Sequence, residues 1–128
     1  MNLDEFGMPK KILIVDDEPQ ILGIVREMLQ REGYEVIAAD SGSLCLEILE
    51  NIKPHLIIMD IMMPEMDGWE VVEKIKSDPS NKGIPICMLT VKASEADMVK
   101  SLNEVGADWH ISKPVERQKL IDAVNWLL

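Results

Sequence analysis

The sequence predicts an α/β domain: a doubly wound, five-stranded parallel sheet with helices on both faces. Three observations carry that expectation. Five short runs rich in Ile, Val, Leu and Met alternate with five stretches whose apolar residues recur at helical spacing. Most of these runs are continuously apolar, as strands buried on both faces are. Four of the five stop on polar residues that carry chemistry: Asp16-Asp17, Asp60, Thr90 and Lys113.

Taken in order, Lys11 to Val15 reads as the first strand. Pro19 suits the first turn of a helix. Ile21, Leu22, Val25, Met28 and Leu29 give that helix an apolar stripe, and Gly33 ends it. Glu35 to Ala39 is the second strand. Leu44, Leu46, Ile48 and Leu49 mark the second helix, closed by Lys53-Pro54. His55 to Met59 is the third strand and stops at Asp60; Met62-Met63-Pro64 through Gly68 is a loop. Trp69, Val72 and Ile75 lead into the third helix, which ends near Ser77 to Gly83. Ile84 to Leu89 is the fourth strand, stopping at Thr90. Ser94 is the expected N-cap of the fourth helix, with Asp97 at the capping-box offset. Met98, Leu102 and Val105 form its stripe, and Gly106 stops it. Asp108 to Ser112 is a less apolar fifth strand, followed by Lys113-Pro114. Leu120, Ile121, Val124, Leu127 and Leu128 belong to the last helix. Residues 1–9 are expected to be a loose, flexible leader and residues 10–128 a single domain.

Composition narrows the function. Hydrophobic residues make up 47% of the chain, but only one Tyr, one Phe and three Trp are present, so aliphatic residues and Met must fill the core. A net charge of −10 argues against direct nucleic-acid binding and against docking on an anionic membrane. Cys45 and Cys87 make no disulfide framework and fit a reduced, cytoplasmic setting. No signal-peptide pattern or membrane-spanning apolar run is expected. Met59, Met62, Met63 and Met66 read as flexible filler, and His55 as a strand-start residue.

Parallel α/β sheets place their ligand sites at the carboxyl ends of the strands. Asp16, Asp17, Asp60, Thr90 and Lys113 should meet there. Three carboxylates in a partly dry cleft repel one another. A hard divalent cation offsets that repulsion, and Mg²⁺ takes one or two carboxylates directly while keeping several waters. The cation and Lys113 together suit the equatorial oxygens of a transferring phosphoryl group, to which Thr90 can donate a hydrogen bond. Asp60, ending the central strand, is the best-placed nucleophile. Taken singly, each residue has a plainer explanation: a helix cap, a turn, a strand terminator, a solvated lysine. Their joint placement favours the chemistry.

The segments ILIVDDEP, LIIMDIMMPEMDGWE, ICMLT and GADWHISKP resemble the motifs of response-regulator receiver domains, from Lys11 to the end of the chain. The resemblance implies a flavodoxin-like, three-layer α/β/α fold with strand order 2-1-3-4-5. It implies that Asp60 is the phosphoacceptor of a two-component phosphorelay. The donor would be a histidine kinase, a histidine phosphotransfer protein or a small acyl phosphate such as acetyl phosphate. It implies Asp17, Asp60 and the backbone carbonyl of Met62 as direct ligands of Mg²⁺ (or Mn²⁺), with Asp16 acting through water. Thr90 and Lys113 match the switch hydroxyl and the active-site lysine, Lys113-Pro114 a cis peptide, and Gly68 the glycine after the acceptor strand. Activity is limited to self-catalysed phosphotransfer and autodephosphorylation, so the chain is not expected to be an enzyme. Output should run through the fourth helix, fifth strand and fifth helix, toward a downstream protein, a C-terminal output domain or a phosphorylation-dependent dimer.

Some positions depart from the family pattern. His110 stands where Tyr or Phe is usual; it is either the switch residue or a partly exposed strand histidine. Trp109 is either core filling or a partner anchor. Val91 stands where Ala or Gly is common, and its bulk should narrow access to the phosphoryl group and slow dephosphorylation. Two other functions compete. A haloacid-dehalogenase-like phosphotransferase would need a second acid two residues after the nucleophile, where this chain has Met62. A degenerate receiver used as a phosphorylation-independent binding module would not need the complete acidic set.

Overall fold

The computed structural model describes residues 2–91 and 95–128. Its elements alternate as the apolar pattern predicts: β1 (Lys11–Val15), α1 (Pro19–Arg31), β2 (Glu35–Ala39), α2 (Gly42–Leu49), β3 (Leu56–Asp60), α3 (Gly68–Ser77), β4 (Ile86–Thr90), α4 (Glu95–Val99), β5 (Trp109–Ser112) and α5 (Arg117–Leu127). The five strands are all parallel and lie in the order β2-β1-β3-β4-β5. β3 and β4 are buried at every position, which explains their unbroken apolar runs.

Alternate residues of the strands feed two separate core layers. Leu13, Val15, Ile57, Met59, Ile86 and Met88 pack with α2 and α3 residues such as Cys45, Leu49, Val71 and Ile75. Ile12, Ile14, Leu56, Ile58, Cys87, Leu89 and Ile111 pack on the other face with Val25 and Leu29 of α1 and Leu120 and Val124 of α5. Both cysteines are buried and unpaired.

Local chemistry explains the helix starts. Ser41 caps α2 by accepting from the Leu44 N–H at 3.1 Å, and Asp67 caps α3 by accepting from the Glu70 N–H at 2.9 Å. The proposed cap Ser94 lies outside the described residues. α4 is short and runs into a π-helical turn, Lys100–Glu104, in which the Val105 N–H reaches the Lys100 carbonyl at 2.9 Å. The buried Ser101 hydroxyl in that turn accepts from Trp69 Nε1 of α3 at 2.9 Å. The Lys100 ammonium lies 4.1 Å from the Trp69 ring centre, so α3 holds this turn by two contacts.

Several details differ from the sequence reading, among them β5, which starts at Trp109 and not at Asp108. β4 starts at Ile86, because Ile84 closes the preceding turn by donating to the Asn81 carbonyl at 3.0 Å. His55 precedes β3 and does more than start it: its Nδ1 accepts from the Lys11 N–H at 3.0 Å. Residues 2–9, expected to be loose, fold into a turn. Leu3 and Pro9 form an antiparallel bridge, Asp4 Oδ1 accepts from the N–H groups of Phe6 and Met8 at 2.8 and 2.9 Å, and Asn2 Nδ2 donates to the Glu32 carbonyl. No helix among the described residues is long and apolar enough to cross a membrane.

Candidate functional site

The strand register aligns four carboxyl ends on one edge: Val15 pairs with Met59, Asp60 with Leu89, and Thr90 with Ser112. The residues after β1 and β5 and the last residues of β3 and β4 therefore share a cleft. Asp16 and Asp60 are buried there, as is Thr90.

Lys113 ties three of these ends together. Its Nζ lies 2.9 Å from Asp16 Oδ2, 3.0 Å from Glu18 Oε1 and 3.4 Å from Asp60 Oδ1. Burial works against its charge, but the hydrogen bonds to Asp16 and Glu18 and the charges of Asp60 and Asp16 outweigh that, and its pKa rises. Its backbone N–H donates to the Thr90 carbonyl at 2.6 Å, joining the ends of β4 and β5, and the Lys113–Pro114 peptide is cis. Lys113 is thus a buried, multiply paired cation, not a solvated surface lysine.

Asp60 is held in tension by its surroundings. Burial raises its pKa most, the Asp16 charge adds to that, and Lys113 opposes it; the result is about 7. Asp16 is fixed from the other side, where its Oδ1 accepts from the Glu18 N–H at 2.9 Å. The backbone around Asp60 leaves no slack. A Cβ built on Gly68 would stand 2.1 Å from the Asp60 carbonyl oxygen, and the Gly68 N–H donates to the Ile61 carbonyl at 2.8 Å. Only glycine lets α3 start this close beneath β3. In the intervening loop Glu65 takes a positive φ of 67°, in the left-handed region.

The donor set suits a hard cation. Carboxylate oxygens of Asp16, Asp17 and Glu18 lie within 4.8 Å of one another, and such oxygens are what Mg²⁺ and Mn²⁺ prefer. Asp60 stands beside this trio, Lys113 reaches Asp16, Glu18 and Asp60 together, and the charges of Asp16 and Asp17 both act on Asp60. Sequence reasoning gave Glu18 no role, although it follows Asp16-Asp17 directly and is acidic.

His110 is buried, which removes its reading as a partly exposed strand residue. It pairs with Met88 across the sheet, two residues from the Thr90–Ser112 pair, so it lies on the same sheet face as Thr90. Neither ring nitrogen has a hydrogen-bond partner among the described residues. Burial lowers its pKa, against the opposing charge of Asp97 on α4, so the ring is neutral at pH 7. Trp109 is 46% exposed and Trp126 76% exposed, so neither is core filling. Both line a groove of about 870 Å³ between β5 and α5.

The response regulator receiver domain profile matches residues 12–125. The chain belongs to that family. The receiver is 40% identical over 121 residues to the alkaline phosphatase synthesis transcriptional regulatory protein PhoP of Bacillus subtilis, covering 94% of this chain and 49% of that protein. It therefore spans about half the length of that curated relative. Among solved structures, the receiver matches the chemotaxis protein CheY4 of Vibrio cholerae with a TM-score of 0.88 at 33% identity, covering 93% of this chain and 98% of that one. It also matches the N-terminal domain of a response regulator receiver protein from Methanoculleus marisnigri, with a TM-score of 0.75 at 41% identity, covering 92% and 95% of the two chains.

Proposed function

We propose that this receiver accepts a phosphoryl group on Asp60 and relays the event to the surface formed by α4, β5 and α5. The single observation that carries the reading is the setting of Asp60. It is a buried carboxylate at the end of the central strand, 3.4 Å from the Lys113 ammonium and beside the Asp16-Asp17 acids. A buried acid so placed serves no packing need.

In the transfer step an Asp60 carboxylate oxygen attacks the phosphorus of a phosphohistidine or of a small acyl phosphate. A P–O bond to Asp60 forms as the bond to the donor imidazole nitrogen, or to the donor carboxylate oxygen, breaks with its electron pair. Lys113 pairs with a phosphoryl oxygen, and the Thr90 hydroxyl donates to another. Asp17, Asp60 and the Met62 backbone carbonyl would hold Mg²⁺ (or Mn²⁺), with Asp16 acting through water. When bound, the cation offsets the repulsion among the carboxylates and the charge of the phosphoryl oxygens. The chain's own part is to fix the acceptor, shield it from bulk water and keep a lysine within reach.

Thr90 ends β4 and His110 lies on the same sheet face, so movement of the hydroxyl toward the phosphoryl group alters the space beside the imidazole. His110 then acts as the switch residue, biasing α4, β5 and α5. A histidine kinase or a histidine phosphotransfer protein is the proposed donor. The receiving partner is a downstream protein, an output domain in a longer regulator or a second receiver. Two buried, unpaired cysteines suit a cytoplasmic setting.

Phos-tag electrophoresis after incubation with acetyl phosphate and Mg²⁺ tests the reading. A retarded band in the wild type, lost in Asp60→Asn and on EDTA treatment, is expected. No band in the wild type would instead favour a phosphorylation-independent binding module. Continuous turnover of phosphate esters would favour a phosphotransferase.

A further inference from the structure

We propose that Glu18 is a positioning residue for phosphoryl transfer: it draws the Lys113 ammonium away from Asp60 in the resting protein, and transfer requires it to let go. The inference rests on Asp60 being the acceptor, and it concerns what restrains the lysine that must serve that acceptor.

The geometry points to Glu18 because the three carboxylates around Lys113 Nζ are not equivalent. Glu18 accepts a charge-assisted hydrogen bond at 3.0 Å and Asp16 pairs at 2.9 Å, whereas Asp60 stands farther off at 3.4 Å. The ammonium is thus turned toward the β1 end of the cleft, away from the β3 end. Asp16 is a fixed neighbour, since its side chain is fully buried and its second oxygen is engaged by the Glu18 N–H. Glu18 differs: its side chain is 57% exposed, so it alone of the three can swing into solvent and find water in place of the lysine. It is the releasable arm of the clamp.

Two effects of Glu18 act in the same direction. Its pairing with Lys113 withholds positive charge from Asp60 and from an arriving phosphoryl group. Its own negative charge adds to a mouth already lined by Asp16 and Asp17, with all three carboxylate groups within 4.8 Å. Once a phosphoryl group is on Asp60, it offers Lys113 a doubly charged acceptor, and Glu18 loses the competition. Glu18→Gln removes the rival charge while keeping the side chain's shape. The variant should therefore accept a phosphoryl group faster than the wild type.

The experiment compares wild type, Glu18→Gln and Asp60→Asn with acetyl phosphate at saturating Mg²⁺, at low and at high salt. In parallel, the Lys113 ammonium is followed by ¹H–¹⁵N NMR with no phosphoryl donor present. Glu18→Gln is expected to be phosphorylated about two- to fivefold faster, the range of a partly exposed ion pair. The gain should persist at high salt, because Lys113 is nearly buried and its pairs are little screened. The Lys113 ammonium signal should move in Glu18→Gln without any donor. A rate equal to or below the wild type's overturns the proposal, and so does an unmoved Lys113 signal. A gain that vanishes at high salt also overturns it, by assigning the effect to long-range repulsion of the anionic donor. If the wild type takes no phosphoryl group, the acceptor reading itself fails and this proposal with it. That outcome is distinct from wild type and variant labelling at the same rate, which sinks the Glu18 inference alone.

Discussion

The site turns on single residues whose surroundings can be titrated or crowded. Asp60 has a pKa of about 7, against the ordinary 3.8. Its folded form therefore keeps a proton that the unfolded chain has already released. With metal chelated, Asp60's contribution to stability is fullest below about pH 4 and is lost as pH rises through about 7, so melting temperature should fall between about pH 5 and pH 8. Thermal melts in EDTA check this, and Asp60→Asn should flatten the fall. Added Mg²⁺ should stabilise the wild type more at pH 8 than at pH 6 if Asp60 is the proposed ligand, because a carboxylate binds the cation only when ionised. Gly68 gives a steric prediction. A methyl group 2.1 Å from the Asp60 carbonyl oxygen forces α3 off the strand, so Gly68→Ala should cost about 1–3 kcal/mol in urea unfolding. Val91 follows Thr90 with its side chain largely exposed at the mouth of the cleft. Trimming it in Val91→Ala should admit water and shorten the phosphoryl lifetime relative to wild type. Lifetimes measured after removal of the donor decide this; equal values remove Val91 from the account.

At the scale of elements, the fourth helix is where sequence and structure part most. Apolar spacing announces a helix there, but it does not distinguish an i→i−4 ladder from the i→i−5 step at Lys100 and Val105. The reason lies in a neighbour. Trp69 of α3 reaches the buried Ser101 hydroxyl and stacks beneath Lys100, and neither contact leaves a trace in local periodicity. Ser101→Ala strands the indole N–H and should cost about 1–3 kcal/mol. The same change should raise amide exchange through the π-helical turn while leaving β1 and β3 protected. Strand ends, by contrast, were plain to read. Asp16, Asp60, Thr90 and Lys113 stop apolar runs, and a parallel sheet brings such stops together whatever lies between them. Glu18 escaped because its meaning depends on Lys113, which is 95 residues further along the chain. The burial of His110 was left open because four residues of an edge strand carry too little alternation to declare a face.

For the molecule as a whole, the two cores divide the labour. One buries α2, α3 and the residues near α4 against the sheet, and the other buries α1 and α5. The cleft lies at the strand ends, above both layers, and the proposed output elements straddle them. Trp109 and Trp126 stand exposed on that flank beside a groove lined by Glu116, Lys119 and Asp122. Exposed tryptophans contribute little to folding, but they anchor interfaces. Trp126→Ala should therefore leave the melting temperature within a degree or so of wild type. It should weaken any phosphorylation-dependent dimer, as read by light scattering with and without acetyl phosphate.

One tyrosine reaches between the turn before β1 and helix α5. The Tyr34 hydroxyl lies 3.0 Å from the side-chain oxygen of Asn2 and 3.3 Å from that of Asn125 on α5. A phenol carries a single proton. Given to Asn2, that proton fastens the opening turn; given to Asn125, it fastens the final helix. The turn before β1 and the helix α5 thus bid for one hydrogen, so a change at Asn2 bears on the bond to Asn125.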